Sequence, residues 1–161
     1  MQSFMEQVNQ YRHQHTKTIN KLTHFIGIPA IILGIMIPLN WLKIFITPQW
    51  QVGFSWIVIV TALSYYFLLN QRLAMVMAFI FFLMNIVAIQ IASSAPNQSN
   101  VFYFCLLFLG GWAFQFIGHF FEKSKPAFFK SLSQLLVGPL FLLIELIYWF
   151  KFEKFFKLPY N

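Results

Sequence analysis

The sequence predicts an all-α integral membrane protein: four spanning helices, an N-terminal surface helix before them, and a fifth short apolar helix that is re-entrant, interfacial or spanning. Three observations carry this. Of the 161 residues, 59% are hydrophobic and only 9% are charged, whereas about 25% are charged in an average soluble domain. The apolar residues gather in runs close to the roughly 20 that a helix needs to cross hydrocarbon. The basic residues fall between those runs and sort to one side once the runs are read as crossings. The whole chain, 1–161, reads as a single membrane domain.

Residues 1–21 are polar and carry Glu6, the wrong order and composition for a cleaved signal peptide, and read as the surface helix. The first span, 24–46, is mildly broken by Pro29, Pro38 and Asn40 and has Trp41 and Lys43 as interface residues. A turn at Thr47-Pro48-Gln49-Trp50 leads to the second span, 54–69, which is only just long enough and ends at Asn70-Gln71-Arg72. The third span is 73–92, the stretch from Ser93 to Asn100 is a loop, and the fourth span, 101–121, is stopped by Pro126. The fifth apolar segment, 135–150, has Gly138-Pro139 near its start and Glu145 inside.

Charge decides how the fifth segment is read. If it does not cross, Arg12, Lys17, Lys21, Arg72, Lys123, Lys125, Lys130, Lys151, Lys154 and Lys157 share one face against Lys43 on the other, ten to one. If it crosses, the last three lysines change sides and the ratio falls to seven to four. Basic residues collect in cytoplasmic loops, so four crossings with both termini cytoplasmic are expected. The net charge of +7 forms no continuous stripe, which favours topology and lipid headgroups over nucleic acid. There is no aspartate, and the lone Cys105 excludes an intramolecular disulfide and a cysteine metal cluster.

In so apolar a chain, His and Glu at the membrane edge are functional candidates, because placing them near hydrocarbon costs free energy. Tyr11 and His15 share a helical face, as do Asn20 and His24. His15 and His24 are about 900° apart on one straight helix, so they converge only if the chain breaks, and Thr16-Lys17-Thr18 is the expected break. Gln115, His119 and Glu122 share one face at the end of the fourth span, where Gly118 permits close helix approach. After an even number of crossings the two clusters meet at one membrane face. His15, His24, His119 and Glu122 then form a ligand set suited to iron, zinc, copper or manganese, with Glu122 a fourth ligand or a partner of the rings, and Tyr11, Asn20 and Gln115 placed to fix the rings. His13 lies off that face and reads as a solvated surface residue. Glu145 could neutralise a lysine, cap backbone near Pro139 or point into the site. The chain has too few histidines for the boxes of membrane di-iron desaturases. It also lacks a phosphate loop, H-E-x-x-H and a serine elbow.

Two motifs carry a resemblance over nearly the whole chain. They are Tyr11-x3-His15-x4-Asn20-x3-His24-x2-Gly27-x-Pro29 and Trp112-x2-Gln115-x2-Gly118-His119-x2-Glu122-x3-Pro126-Ala127, followed by Gly138-Pro139. The pattern resembles the membrane 2-hydroxy-fatty-acid dioxygenases named for metabolism of phytosphingosine to odd-numbered fatty acids. Thr16, in place of a second histidine, and the short His119-x-x-Glu122 spacing make it similar to bacterial members. The resemblance implies an Fe(II) cofactor, a 2-hydroxy fatty acid and O2 as substrates, and a fatty acid one carbon shorter as product. It carries the ligand role onto His15, His24 and His119. Membrane lipid is the expected surrounding, in a bacterial inner membrane or, in a eukaryote, the endoplasmic reticulum. Lys21, Lys123 and Lys125 could attract the carboxylate or simply report topology, and the Phe-rich bundle would hold the acyl chain. The rival reading is a non-enzymatic metal- or lipid-binding membrane protein, a transporter or scaffold.

Overall fold

A computed structural model describes residues 4–13, 15–124, 126, 133–156 and 158. Lys125, Ala127, Lys130 and Lys157, which entered the motif and the charge count, lie outside the described residues. The helices are α1 (Phe4–His13), α2 (Thr18–Trp41), α3 (Ser55–Leu69), α4 (Gln71–Ala92), α5 (Gln98–Glu122) and α6 (Ser133–Trp149). The chain breaks between α1 and α2, at the expected threonines. The first span is longer at its start than expected and ends sooner, because 43–46 does not continue it. Lys43–Phe45 (β1) instead pairs antiparallel with Gln51–Gly53 (β2) around the 47–50 turn, so the fold is not purely helical. Pro29 and Pro38 lie inside α2, which stays continuous.

Helix α5 starts inside the segment that composition marks as loop. The Asn97 side chain accepts from the Asn100 backbone at 3.0 Å and the Asn100 side chain accepts from the Asn97 backbone at 2.7 Å, a reciprocal capping box. At its other end α5 stops at Lys123, in the left-handed region at φ 58°, before Pro126 is reached. Lys123 N–H donates to Phe120 O and Ser124 N–H to His119 O, which satisfies the last carbonyls.

The tightest pairing is α2 against α5, built on glycines seven residues apart. A Cβ on Gly27 would lie 2.8 Å from Gly111 O, and one on Gly111 would lie 2.8 Å from Gly27 O. One on Gly118 would lie 2.2 Å from Thr23 Oγ1 and 2.4 Å from Asn20 Oδ1. Helices in hydrocarbon gain little from burying apolar surface against each other, so close backbone packing at small residues holds them together. The close approach expected at Gly118 is present.

Polar contacts fix the helix directions. Ser55 Oγ donates to Asn40 Oδ1 at 2.8 Å, so α3 begins where α2 ends. Trp41 Nε1 and Asn100 Nδ2 donate to Ala92 O, at 3.0 and 2.8 Å, so α4 ends and α5 begins at that same end. Tyr66 Oη donates to Leu136 O at 2.7 Å, which brings the end of α3 back to α6 and the N-terminal side. α2, α3, α4 and α5 therefore alternate in direction.

Helices α2, α4 and α5 are long and apolar enough to cross a membrane; α3 and α6 are shorter apolar helices. The 15 residues of α3 rise about 22 Å, against roughly 30 Å of hydrocarbon. α6 packs on the histidine end, where Gly138 faces Tyr11 and Ile28 and Glu145 pairs with Lys21 at 2.6 Å and Arg12 at 3.3 Å. Of the roles open to Glu145, neutralising basic residues is the one realised. Large apolar side chains such as Leu68, Phe79, Leu109 and Phe120 are exposed on the outside of α3, α4 and α5.

Candidate metal centre

Three histidines from three positions in the chain meet in the interior. His15 follows α1, His24 lies in the second turn of α2, and His119 is in the last turn of α5; they are 0%, 1% and 5% exposed. The Nε2 atoms of His15 and His24 are 3.0 Å apart. The three rings have centroids 4.4 to 5.0 Å apart, and one ligand nitrogen from each lies within 4.8 Å of the others. Cys105 is remote in sequence from this group, in the first half of α5. His13 is exposed and does not join it.

Each ring is oriented through Nδ1. His15 Nδ1 is 2.7 Å from Tyr11 O and His24 Nδ1 is 2.8 Å from Asn20 O. A carbonyl oxygen only accepts, so both Nδ1 atoms carry the proton, a tautomer assigned from the hydrogen-bond network. Both Nε2 atoms then present lone pairs to each other at 3.0 Å. Two buried acceptors facing at that distance repel unless a cation or a proton lies between them. Burial pushes His15 down to about 4, which favours the neutral ring. The donor set therefore fits a divalent transition metal bound by neutral imidazoles.

Tyr11 and Asn20 are thus the ring partners, but through backbone carbonyls. The Tyr11 ring stacks on His15, centroids 4.2 Å apart and 3° from parallel. His119 Nδ1 lies 3.3 Å from Ser124 Oγ, a partner that sequence reasoning missed; only the left-handed turn at Lys123 brings Ser124 back over the helix end. Glu122 is outside the three-histidine group. Its Oε1 accepts from Thr16 N–H at 3.1 Å and from the Thr16 hydroxyl, and its Oε2 from Lys17 N–H at 3.0 Å and Asn20 Nδ2 at 3.2 Å. The N-cap position of α2, Lys17, makes no side-chain cap, and this carboxylate from α5 satisfies the start of that helix instead. Among the described residues Gln115 Nε2 has no hydrogen-bond partner, and the side chain lines a cavity with His24 and His119.

Fold and site together define a helical, membrane-type protein built around a buried three-histidine centre. The family model described as Mpo1-like, "2-hydroxy-palmitic acid dioxygenase Mpo1-like", matches residues 1–149, and the chain belongs to that family of dioxygenases. It is also similar to the Saccharomyces cerevisiae protein named 2-hydroxy-palmitic acid dioxygenase MPO1, with 27% identity over 144 residues, covering 88% of this chain and 78% of the yeast protein. No solved structure matches the chain.

Proposed function

We propose that the protein is a membrane Fe(II) dioxygenase that shortens 2-hydroxy fatty acids by one carbon, with His15, His24 and His119 as its metal ligands. The observation that carries this is the pair of Nε2 lone pairs 3.0 Å apart, an arrangement that a bound cation relieves. The family membership and the yeast relative's name support the reaction class and the acyl substrate. The overall change balances when 2-hydroxy acid and O2 give the shorter acid, carbon dioxide and water, with the C1–C2 bond broken and O2 reduced. Bound iron would supply the redox chemistry and the open positions for a chelating 2-hydroxy acid.

The chain's own residues do the rest. The Tyr11 and Asn20 carbonyls hold two imidazoles in the tautomer that leaves Nε2 free. Glu122 is a positioning residue that ties α5 to the corner carrying His15. Lys21 is engaged by Glu145, which favours the topological over the substrate-attracting role for it. The alternating directions of α2 to α5 support four crossings, and the charge asymmetry supports a cytoplasmic histidine end with both termini on that side. The contacts of α6 with that end support its lying at the membrane edge.

The test is metal analysis of purified protein, then oxygen uptake with 2-hydroxypalmitic acid under Fe(II). Stoichiometric metal, lost in His24→Ala and His119→Ala, with acid-dependent uptake is expected. Metal retained by both variants would overturn the site. Metal bound without oxygen uptake would favour a non-enzymatic metal-binding protein.

A further inference from the structure

A cavity of about 280 Å³ opens from His24 and His119 and runs between α2 and α3. Ile28, Ile32, Met36 and Leu39 line it along α2, and Val58 and Ile59 close its far part from α3. From His24 to Leu39 is about four helical turns, roughly 22 Å. The gap exists because α3 packs on α4 and barely touches α2. Its wall is built of isoleucine, and Phe81 is the one phenylalanine among the described lining residues, so the Phe-rich surface is not what encloses it.

The mouth is polar in a specific way. Gln115 and Gln134 both line the cavity and are 6% and 4% exposed. Gln115 Nε2, a donor, and Gln134 Oε1, an acceptor, have no hydrogen-bond partner among the described residues. Buried polar atoms are nearly always paired, and an orphaned donor and acceptor on residues that line one cavity with His24 and His119 mark a place where another molecule supplies the missing bonds.

We infer that this cavity holds the acyl chain of the 2-hydroxy acid, methyl end toward Leu39 and Val58, and that its depth sets the preferred chain length. Gln115 N–H donates to the carboxylate at the mouth and the Gln134 carbonyl accepts from the 2-hydroxyl. This rests on the reading above that 2-hydroxy fatty acids are the substrates.

The test is equilibrium binding of 2-hydroxylauric, 2-hydroxypalmitic and palmitic acids to detergent-solubilised, metal-loaded protein, with metal content and thermal unfolding measured on each sample. Leu39→Phe shortens the cavity and should lower the preference for 2-hydroxypalmitic over 2-hydroxylauric acid about tenfold or more. Leu39→Ala lengthens it and should move that preference the other way. Gln115→Leu should weaken 2-hydroxypalmitic acid about tenfold with metal content unchanged. Opposite shifts in the two size variants exclude a general loss of fold. A folded, metal-loaded pair with unchanged length preference overturns the inference while leaving the reaction intact. Length-dependent binding without oxygen uptake in the wild type leaves the chain site standing and removes the reaction; no binding of any of the acids by the wild type removes both.

Discussion

At the level of single side chains, the corner between α1 and α2 depends on one carboxylate. Glu122 accepts from two backbone N–H groups, a hydroxyl and an amide, and so couples the end of α5 to the loop that carries His15. Glu122→Gln keeps the size but replaces one acceptor oxygen with a donor aimed at N–H groups. The expected result is a loss of metal affinity of about ten- to hundredfold, measured by competition with a chelator, with the helical content unchanged. Ser124→Ala, which removes a 3.3 Å contact, should cost less than Glu122→Gln in the same assay. The three ligand candidates were legible in the sequence because the chain has few other ionisable groups and helical spacing sorted them. The roles around them were less legible. Spacing put Tyr11 and Asn20 on the faces of His15 and His24, but could not tell that their backbone carbonyls make the bonds. Ser124 gave no signal, since its position depends on a left-handed residue that is not glycine.

At the level of elements, the α2–α5 pair brings His24 to His119, and its glycines are unequal. Gly118→Ala puts a methyl against the Thr23 and Asn20 side chains, which must leave the hydrogen bonds they make to Asn20 O and Glu122; a loss of about 1–3 kcal/mol is expected. Gly110 has nothing within 4 Å of its would-be Cβ, and Gly110→Ala should leave stability unchanged or raise it by up to about 1 kcal/mol. Denaturant unfolding of both variants in detergent checks the contrast; equal losses would contradict the proposed interface. The long helices were legible from hydropathy and length. The β1–β2 hairpin was not, because strands of three residues are too short to show alternation and 43–46 reads as more span. The start of α5 was missed for a related reason: Asn97 and Asn100 look like loop residues by composition, yet at that spacing they cap a helix.

At the level of the molecule, the proposed four crossings put the hairpin and the histidine centre on opposite sides of the membrane. With Cys105→Ser as background, a cysteine at Thr47 should react with an impermeant thiol reagent only from outside, and cysteines at Lys123 or Lys151 only after the cytoplasmic face is opened. Labelling of the Lys151 position from outside would mean that α6 crosses. Composition was enough to mark the long apolar helices. The cavity was beyond composition, since it arises from α3 leaning on α4, a tertiary choice that no local pattern in α2 or α3 encodes.

The most direct measurement for the three-histidine centre combines metal content and oxygen uptake on one purified sample. Wild-type protein loaded with Fe(II) should hold stoichiometric metal and consume O2 only when a 2-hydroxy fatty acid is added, releasing the acid one carbon shorter. His15→Ala, His24→Ala and His119→Ala should each lose both properties while the protein still folds in detergent. Undiminished metal binding and turnover in these folded variants would contradict the assignment.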